Sequence, residues 1–366
     1  MYVRSLSLTD FRNIENLSLT FTPNFNIIFG NNAQGKTNTV EAICLALSGK
    51  SHRENLNANF IRFGQEACLV NAEVSCDDFT TVNSKVNVGS KGRTHFIDSE
   101  RVRSSQTLLS FFSYVFFSPE DLRLVKDSPV LRRNFTDESI SVLYPSYAKL
   151  TGDYKKTLRQ RSILLKAYSP SDSSLLDIYD DNLALIGSEI IKYRLKFLKE
   201  LNDVAARYYK ELSASSESIS LSYYSNLISG PISPSDILPL YRNALKESRR
   251  DDILSASTTK GIHHDDVNFF IEKADARKFA SQGQQRSIAV SLKMAVCDMI
   301  KAKKSQQPIV LLDDVMSELD ENRRSSLVRM LNGKQVFITC TEPDFESDKD
   351  KTFFFKAENG KLEKID

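Results

Sequence analysis

The chain has 366 residues, 41% of them hydrophobic, which is enough for two or three domains with apolar cores. Lys and Arg number 49 against 47 Asp and Glu, so a uniformly basic surface is excluded and any nucleic-acid site must be a local patch. Five scattered cysteines without C-x-x-C or zinc spacing, no apolar run approaching about 18 residues, and an N-terminus that opens in strand pattern exclude a structural zinc, a membrane-spanning helix and a signal peptide, and predict a cytoplasmic protein.

Residues 1–30 read as sheet. Leu6-Ser7-Leu8 and Leu17-Ser18-Leu19-Thr20-Phe21 alternate with period two, and Phe25-Asn26-Ile27-Ile28-Phe29 runs straight into Gly30. From Lys36 the period changes: Val40, Ile43, Cys44 and Leu47 make one face of a helix ending near Gly49. Short β-rich segments return over 66–97, with a hairpin expected at Gly89 and Gly92, and the strand Tyr114-Val115-Phe116-Phe117 stops at Ser118-Pro119-Glu120-Asp121, a helix-start pattern.

The middle differs. Leu176, Tyr179, Leu183, Ile186, Ile190, Tyr193, Phe197, Leu201, Val204 and Tyr208 recur at spacings of 3 and 4, which predicts one long amphipathic helix. A basic helix precedes it, another lies near Leu238 to Arg250, and Ser-rich stretches at 213–222 and 229–235 read as connections. The sheet is expected to resume at Val267-Asn268-Phe269-Phe270-Ile271. A helix follows from about Gln285 to Lys303, then strand 309–312, a helix after Leu319, and strands at Val336 to Thr339 and Phe353 to Phe355.

Two motifs carry chemistry. Gly30-Asn31-Asn32-Ala33-Gln34-Gly35-Lys36-Thr37 satisfies G-x-x-x-x-G-K-[ST], a loop whose backbone N–H groups cradle phosphates. Lys36 would reach the β- and γ-phosphates and Thr37 would ligate Mg²⁺. Ile309-Val310-Leu311-Leu312 closes on Asp313 and Asp314, placing both carboxylates at the end of a buried strand. Asp313 suits the Mg²⁺ shell and Asp314 would orient the attacking water. Ser281-Gln282-Gly283-Gln284-Gln285 could receive a γ-phosphate through its hydroxyl and amides, although taken alone it reads as a plain Ser cap and turn. From Thr37 to Ser281 the numbering advances 281 − 37 = 244, so a large insertion leaves one ATP-binding head and returns to it.

Together these residues resemble the ABC-type ATPase head and, among such heads, the RecF family of bacterial recombinational repair proteins. The likeness runs through Leu8-Thr9-Asp10-Phe11-Arg12-Asn13, Gly30 to Asn38 with Glu41-Ala42-Ile43, Lys50-Ser51-His52-Arg53 and Phe117 to Leu122. It continues through Pro129 with Arg132-Arg133, Ser281 to Arg286, and Leu311 to Val315 leading into Ser317-Glu318-Leu319-Asp320. The resemblance implies an α/β fold: an ABC-type P-loop head built from 1–117 and 265–366, with mixed β-sheets around helices, and an inserted, mostly helical arm domain over 118–264. It implies a slow, DNA-stimulated ATPase that uses ATP and Mg²⁺, dimerises head to tail on ATP, binds duplex and gapped DNA, and with RecR and RecO directs RecA.

By the same likeness Ser281, Gly283 and Gln284 would cap ATP held by the partner's loop, and Arg12, Asn13 and Asn38 would line the nucleotide pocket. Gly261-Ile262-His263-His264-Asp265-Asp266 departs from the family's Gly-Pro-His-Arg-Asp-Asp at Ile262 and His264. Thr339 and Thr341 follow the penultimate core strand, where a hydroxyl could bond a phosphate-side water. The local basic patches for DNA phosphates are Arg132-Arg133, Lys155-Lys156 with Arg159 and Arg161, and Arg249-Arg250. Two other readings stay open at this point: a soluble ATPase subunit that drives a membrane transporter, and a structural adaptor with a vestigial ATPase.

Overall fold

The computed structural model describes residues 1–53, 56–76, 80–90, 92–213, 217–228, 230, 232–343 and 351–365. The expected Ser-rich connections lie partly outside the described residues, at 214–216, 229 and 231. The chain divides into two compact units. The first comprises Met1–Arg123, Tyr208–Ser216 and Gln282–Asp366; the second comprises Leu124–Arg207 and Glu217–Ser281.

Two sheets and the helices between and around them make the first unit. Strands β1 (Tyr2–Phe11), β2 (Ile14–Thr20), β4 (Ala67–Ser75), β5 (Thr81–Gly89), β6 (Gly92–Ile97) and β7 (Glu100–Val102) form an antiparallel sheet in the order β2-β1-β4-β5-β6-β7. Their alternation turns one face inward: Val3, Leu6, Leu8, Val70, Ala72 and Val88 are almost wholly buried. The second sheet has the order β15-β14-β3-β13-β12-β8, built from β3 (Phe25–Phe29), β8 (Tyr114–Phe117), β12 (Ile309–Asp313), β13 (Val336–Cys340), β14 (Thr352–Glu358) and β15 (Lys361–Ile365). All its pairs are parallel except the β14–β15 hairpin. Continuous apolar runs such as Phe25–Phe29 and Ile309–Leu312 suit strands covered on both faces.

Helix α1 (Lys36–Ser48) is buried nearly all round, and its Val40, Ile43, Leu45 and Leu47 join one core with Leu8, Val70, Val88, Leu311 and Phe337 from both sheets. Each fully buried aliphatic side chain there contributes about 1.5–3 kcal/mol. That burial anchors the loop from which the helix starts. Helices α2 (Ser105–Phe111), α8 (Gln282–Lys304) and α9 (Glu321–Leu331) complete the unit. Pro119–Arg123 is a single short 3₁₀ turn, and the helix its Ser-Pro pattern announces begins later, at Pro129.

The second unit holds α3 (Pro129–Leu143), α4 (Pro145–Lys166), α5 (Ser173–Ser213, its end from Tyr208 belonging to the first unit), α6 (Ile237–Ser255) and α7 (Ala276–Phe279). The predicted seam is one helix of 41 residues, roughly 60 Å of chain at the standard rise. Gly187 on α5 lets the Tyr241 ring of α6 approach closely, since a Cβ there would lie 2.4 Å from it.

The strand at Val267 is not a resumption of the head sheet. It is β10 (Asp266–Ile271), which pairs with β9 (Ile219–Tyr224) and β11 (Ala274–Asp275) in a separate three-stranded antiparallel sheet. Its alternating burial, with Val267, Phe269 and Ile271 inward, fits a one-faced antiparallel sheet.

Candidate functional site

The parallel sheet brings the two distant motifs to one edge. β3 lies beside β13, and β13 lies beside β12, so Gly30 and Asp313 leave the sheet at the carboxyl ends of near-neighbour strands. Ligands of open α/β sheets sit there.

The loop itself has a strained backbone that its glycines permit. Gly30 has φ 140 and Gly35 φ 103, and Ala33 between them has φ 66. A Cβ on Gly30 would stand 2.5 Å from the Ala357 carbonyl of β14. Asn13 fastens the loop from the β1–β2 turn: its Nδ2 donates to the Ala33 carbonyl at 3.4 Å, and Asn38 Nδ2 donates to its Oδ1 at 2.8 Å. The backbone N–H of Asn359, in the β14–β15 turn, donates to Gln34 Oε1. No side chain caps the start of α1, which leaves the helix N-terminus open to an anion. Lys36 Nζ donates to the carbonyls of Gly30 at 2.5 Å and Asn31 at 2.9 Å. Burial lowers the Lys36 pKa, and the nearby charges of Asp314 and Asp313 oppose that shift.

The acidic pair is held by hydroxyls. Asp313 Oδ1 accepts from Thr37 Oγ1 at 2.8 Å and from Thr339 Oγ1 at 2.7 Å. Burial raises the Asp313 pKa, and these two hydrogen bonds work against the rise. Asp314 has φ 53; its N–H donates to Thr339 Oγ1 at 2.9 Å, and Ser317 Oγ donates to its carbonyl at 2.8 Å. Thr339 is fully buried, so its hydroxyl is committed to the acidic strand instead of a phosphate-side water.

Beside the loop opens a cavity of about 1160 Å³, lined in part by Arg12, Asn13, Asn38, Arg53 and Phe63. Arg12 reaches it from φ 56 and is clamped by Glu41, Nε to Oε2 at 2.9 Å and Nη2 to Oε1 at 2.8 Å. Ser51 Oγ donates to the same carboxylate at 2.5 Å. The 57–63 segment is tied to the Arg12 turn by Arg12 N–H to Phe60 O and Arg62 N–H to Asp10 O, both 2.8 Å. Glu41, Arg53 and Phe63 carry no role in the sequence reading. Glu41 had a signal: a carboxylate on an otherwise apolar helix must have a buried partner. Phe63, wholly exposed, had none that a sequence can show.

Gly283 and Gln284 do not line this cavity; they lie in the first turn of α8, directly after exposed Ser281, the last residue of the second unit. A Cβ on Gly283 would meet Arg323 Nη2 at 3.1 Å. Two turns of chemistry link α8 to the segment after the acidic strand: Arg286 Nη1 to the Glu318 carbonyl and Nη2 to its carboxylate, each 2.6 Å.

A family profile described as RecF/RecN/SMC N terminal domain matches residues 2–363. A DNA replication and repair protein RecF from Clostridioides difficile (strain 630) is 38% identical over 373 residues, covering 100% of this chain and 99% of its own length. The chain belongs to the RecF family. Two solved structures are similar throughout: the recombination mediator protein RecF-ATPrS in the RecFOR pathway, TM-score 0.92 at 32% identity, and RecF-ATP in the same pathway, TM-score 0.91 at 33%. Each comparison covers 100% of this chain and 98% of the other. The α/β head of ABC type and the helical arm are those of this family.

The basic patches need correction. Arg132 is buried and bidentate to Asp266, Nε to Oδ1 at 2.7 Å and Nη2 to Oδ2 at 2.9 Å. Arg161 is fully buried between Asp180 at 2.7 Å and Asp252 at 2.8 Å. Arg249 is pinned by Asp177 and Asp180 at 2.5 and 2.6 Å, and Arg133 donates to the Asp265 carbonyl at 2.7 Å. Arg132 and Arg161 cannot reach DNA phosphates without leaving their carboxylate partners, half-buried Asp266 and buried Asp180 and Asp252, unpaired. Lys155, Lys156, Arg159 and Arg250 are exposed. Among the described residues no helix is long and apolar enough to cross a membrane.

Proposed function

We propose that this chain is an ATP-dependent DNA-binding protein of recombinational repair, whose head binds and slowly hydrolyses ATP. The observation that carries the reading is the Thr37–Asp313 hydrogen bond, 2.8 Å long across 276 residues, which joins the phosphate loop to the acidic strand. ATP phosphates are taken by the loop amides, the α1 N-terminus and Lys36, once its Nζ leaves the Gly30 and Asn31 carbonyls. The base and ribose go toward the cavity beside Arg12 and Asn13.

Among the described residues no three His, Cys, Asp or Glu side chains cluster as a metal cage. Mg²⁺ is held by one or two protein oxygens with phosphates and waters. Thr37 and Asp313, one hydroxyl and one carboxylate already in contact, fit it. The cation there supplies charge neutralisation on the β- and γ-phosphates. Asp314 orients the water that attacks the γ-phosphorus. Ser281, Gly283 and Gln284 act on ATP held by a second copy, so each site is completed by dimerisation and ATP shifts the assembly equilibrium.

DNA is met through exposed Lys155, Lys156, Arg159 and Arg250, contacts that position without reading bases. RecR and RecO are its partners, a reading supported by the RecFOR pathway of the solved relatives, and RecA is loaded downstream in the cytoplasm. Sedimentation with ATP and Mg²⁺, with and without a gapped duplex, tests the reading, with Lys36→Ala as control. The parent should form ATP-dependent dimers that travel with DNA, and K36A should do neither. Dimers that ignore DNA would retain the head mechanism and remove the repair role.

A further inference from the structure

Thr339 has no part in the phosphate-binding motif or in the acidic motif, yet it touches both acidic residues. The β12–β13 register sets it directly opposite Asp313. A hydroxyl has one proton to give. Thr339 gives it to Asp313 Oδ1 at 2.7 Å, and its oxygen receives the Asp314 N–H at 2.9 Å. The same Asp313 oxygen takes the Thr37 hydroxyl at 2.8 Å. With Oδ1 occupied twice, Oδ2 is the oxygen left for a cation's hydration shell. Asp314 meanwhile sits at φ 53, a conformation that a non-glycine residue keeps only where its surroundings hold it. Two anchors hold it: Thr339 at its N–H, and Ser317, whose Oγ donates to the Asp314 carbonyl at 2.8 Å and lies 3.2 Å from Oδ1.

We propose that Thr339 is a positioning residue of the nucleotide site: its single hydroxyl sets the rotamer of the cation-side Asp313 and the left-handed turn that aims Asp314. The inference rests on the reading of these carboxylates as parts of an ATP site. Thr339 touches no reacting atom. It acts by keeping both carboxylates in register with Thr37, so its loss should separate nucleotide binding from use of the cation.

The test compares the full-length parent with Thr339→Val, which keeps the shape and removes the hydroxyl, and Thr339→Ser, which keeps the hydroxyl and removes the methyl. A fluorescent ATP analogue is titrated first in EDTA and then against Mg²⁺, and kcat and KM are measured on gapped duplex. T339V should bind the analogue in EDTA as the parent does. Its Mg²⁺ half-saturation should rise about tenfold to a hundredfold, with kcat falling by a similar factor and KM little changed. T339S should restore parental Mg²⁺ half-saturation. A folded T339V with parental Mg²⁺ dependence overturns the proposal. Should T339V fail to fold, T339S decides alone: parental half-saturation supports the hydroxyl's role, and a tenfold shift means that packing was the role. A parent that binds no analogue in either condition removes the ATP reading itself, an outcome distinct from all of these.

Discussion

Asp313 and Asp265 are both buried carboxylates, one in each unit, and they differ in the charge of their partners. Asp313 is met by two neutral hydroxyls, and among the described residues it forms no ion pair. Asp265 faces Arg194 at 3.2 Å and accepts the Tyr223 hydroxyl, and Arg194 is itself shared with Asp137 at 3.0 Å. Burial raises the Asp265 pKa, and Arg194 opposes the rise. The arm neutralises its acids internally; the head leaves a carboxylate whose charge a cation from outside can complete. Polar burial alone therefore does not mark a reactive site. The partner's charge does.

The comparison is broken or sharpened by substitution on either side. Asp314→Asn should lower ATP turnover by about 10²–10⁴-fold, with nucleotide binding retained and the dimer trapped, measured by phosphate release and sedimentation. A variant that still turns over at the parental rate would mean that Asp314 does not orient the attacking water. Arg194→Met strands Asp137 and Asp265 and should cost about 3–5 kcal/mol in urea unfolding. A loss no larger than a surface substitution gives would mean that Asp265 is not held by its cation.

Smaller effects follow from histidine. Burial lowers the pKa of His95 and His263 to about 4 from 6.5. In the arm, His263 donates from Nε2 to the Thr258 carbonyl over 3.0 Å, which leaves Nδ1 of the neutral ring to accept from Tyr154 over 3.1 Å. Between pH 6.5 and 4 the unfolded chain binds protons that the folded chain refuses. Stability should be full above pH 6.5 and fall by about 1.4 kcal/mol per pH unit per histidine as pH drops. Urea midpoints at pH 7.5, 6 and 5 measure this, and His263→Gln should flatten the slope. Smallest is Lys155→Glu with Lys156→Glu: DNA affinity should fall several-fold, with the salt slope reduced by about one per lost contact and unfolding unchanged.

What could be read from the chain followed the range of the interaction. The phosphate loop and α1 are contiguous, and their β3-loop-helix order was visible from Phe25 to Leu47. The 41-residue α5 was visible through its repeating seam. The partner of β10 was not visible, because Ile271 pairs with Ile219, 52 residues earlier, through a strand of only 6 residues. Arg161 looked like part of a solvated basic face, since the carboxylates that enclose it are at positions 180 and 252. Yet the spacing held a clue: Tyr147, Tyr154 and Arg161 follow at intervals of seven, and all three are buried on one helix face. Arg132 likewise shares its face with Phe135, Thr136, Ser139, Ile140 and Leu143. In the site, Asp313 and Asp314 were legible as a motif, while Thr339, expected beside a phosphate-side water, is set against the acidic pair by strand register.

The strand that feeds the phosphate loop, β3, lies between β13 and β14, so both of its sheet neighbours come from beyond residue 335. During synthesis the antiparallel sheet of residues 2–102 can pair as it emerges, and the inserted arm can pack soon after. The phosphate loop must wait, its strand unpaired on both sides, until Val336–Cys340 and Thr352–Glu358 have left the ribosome. Such long-range pairing folds slowly. A nascent or truncated chain would carry the whole phosphate-binding motif and still be unable to use it, which makes nucleotide capture a late property, gained only when the two ends of the polypeptide meet.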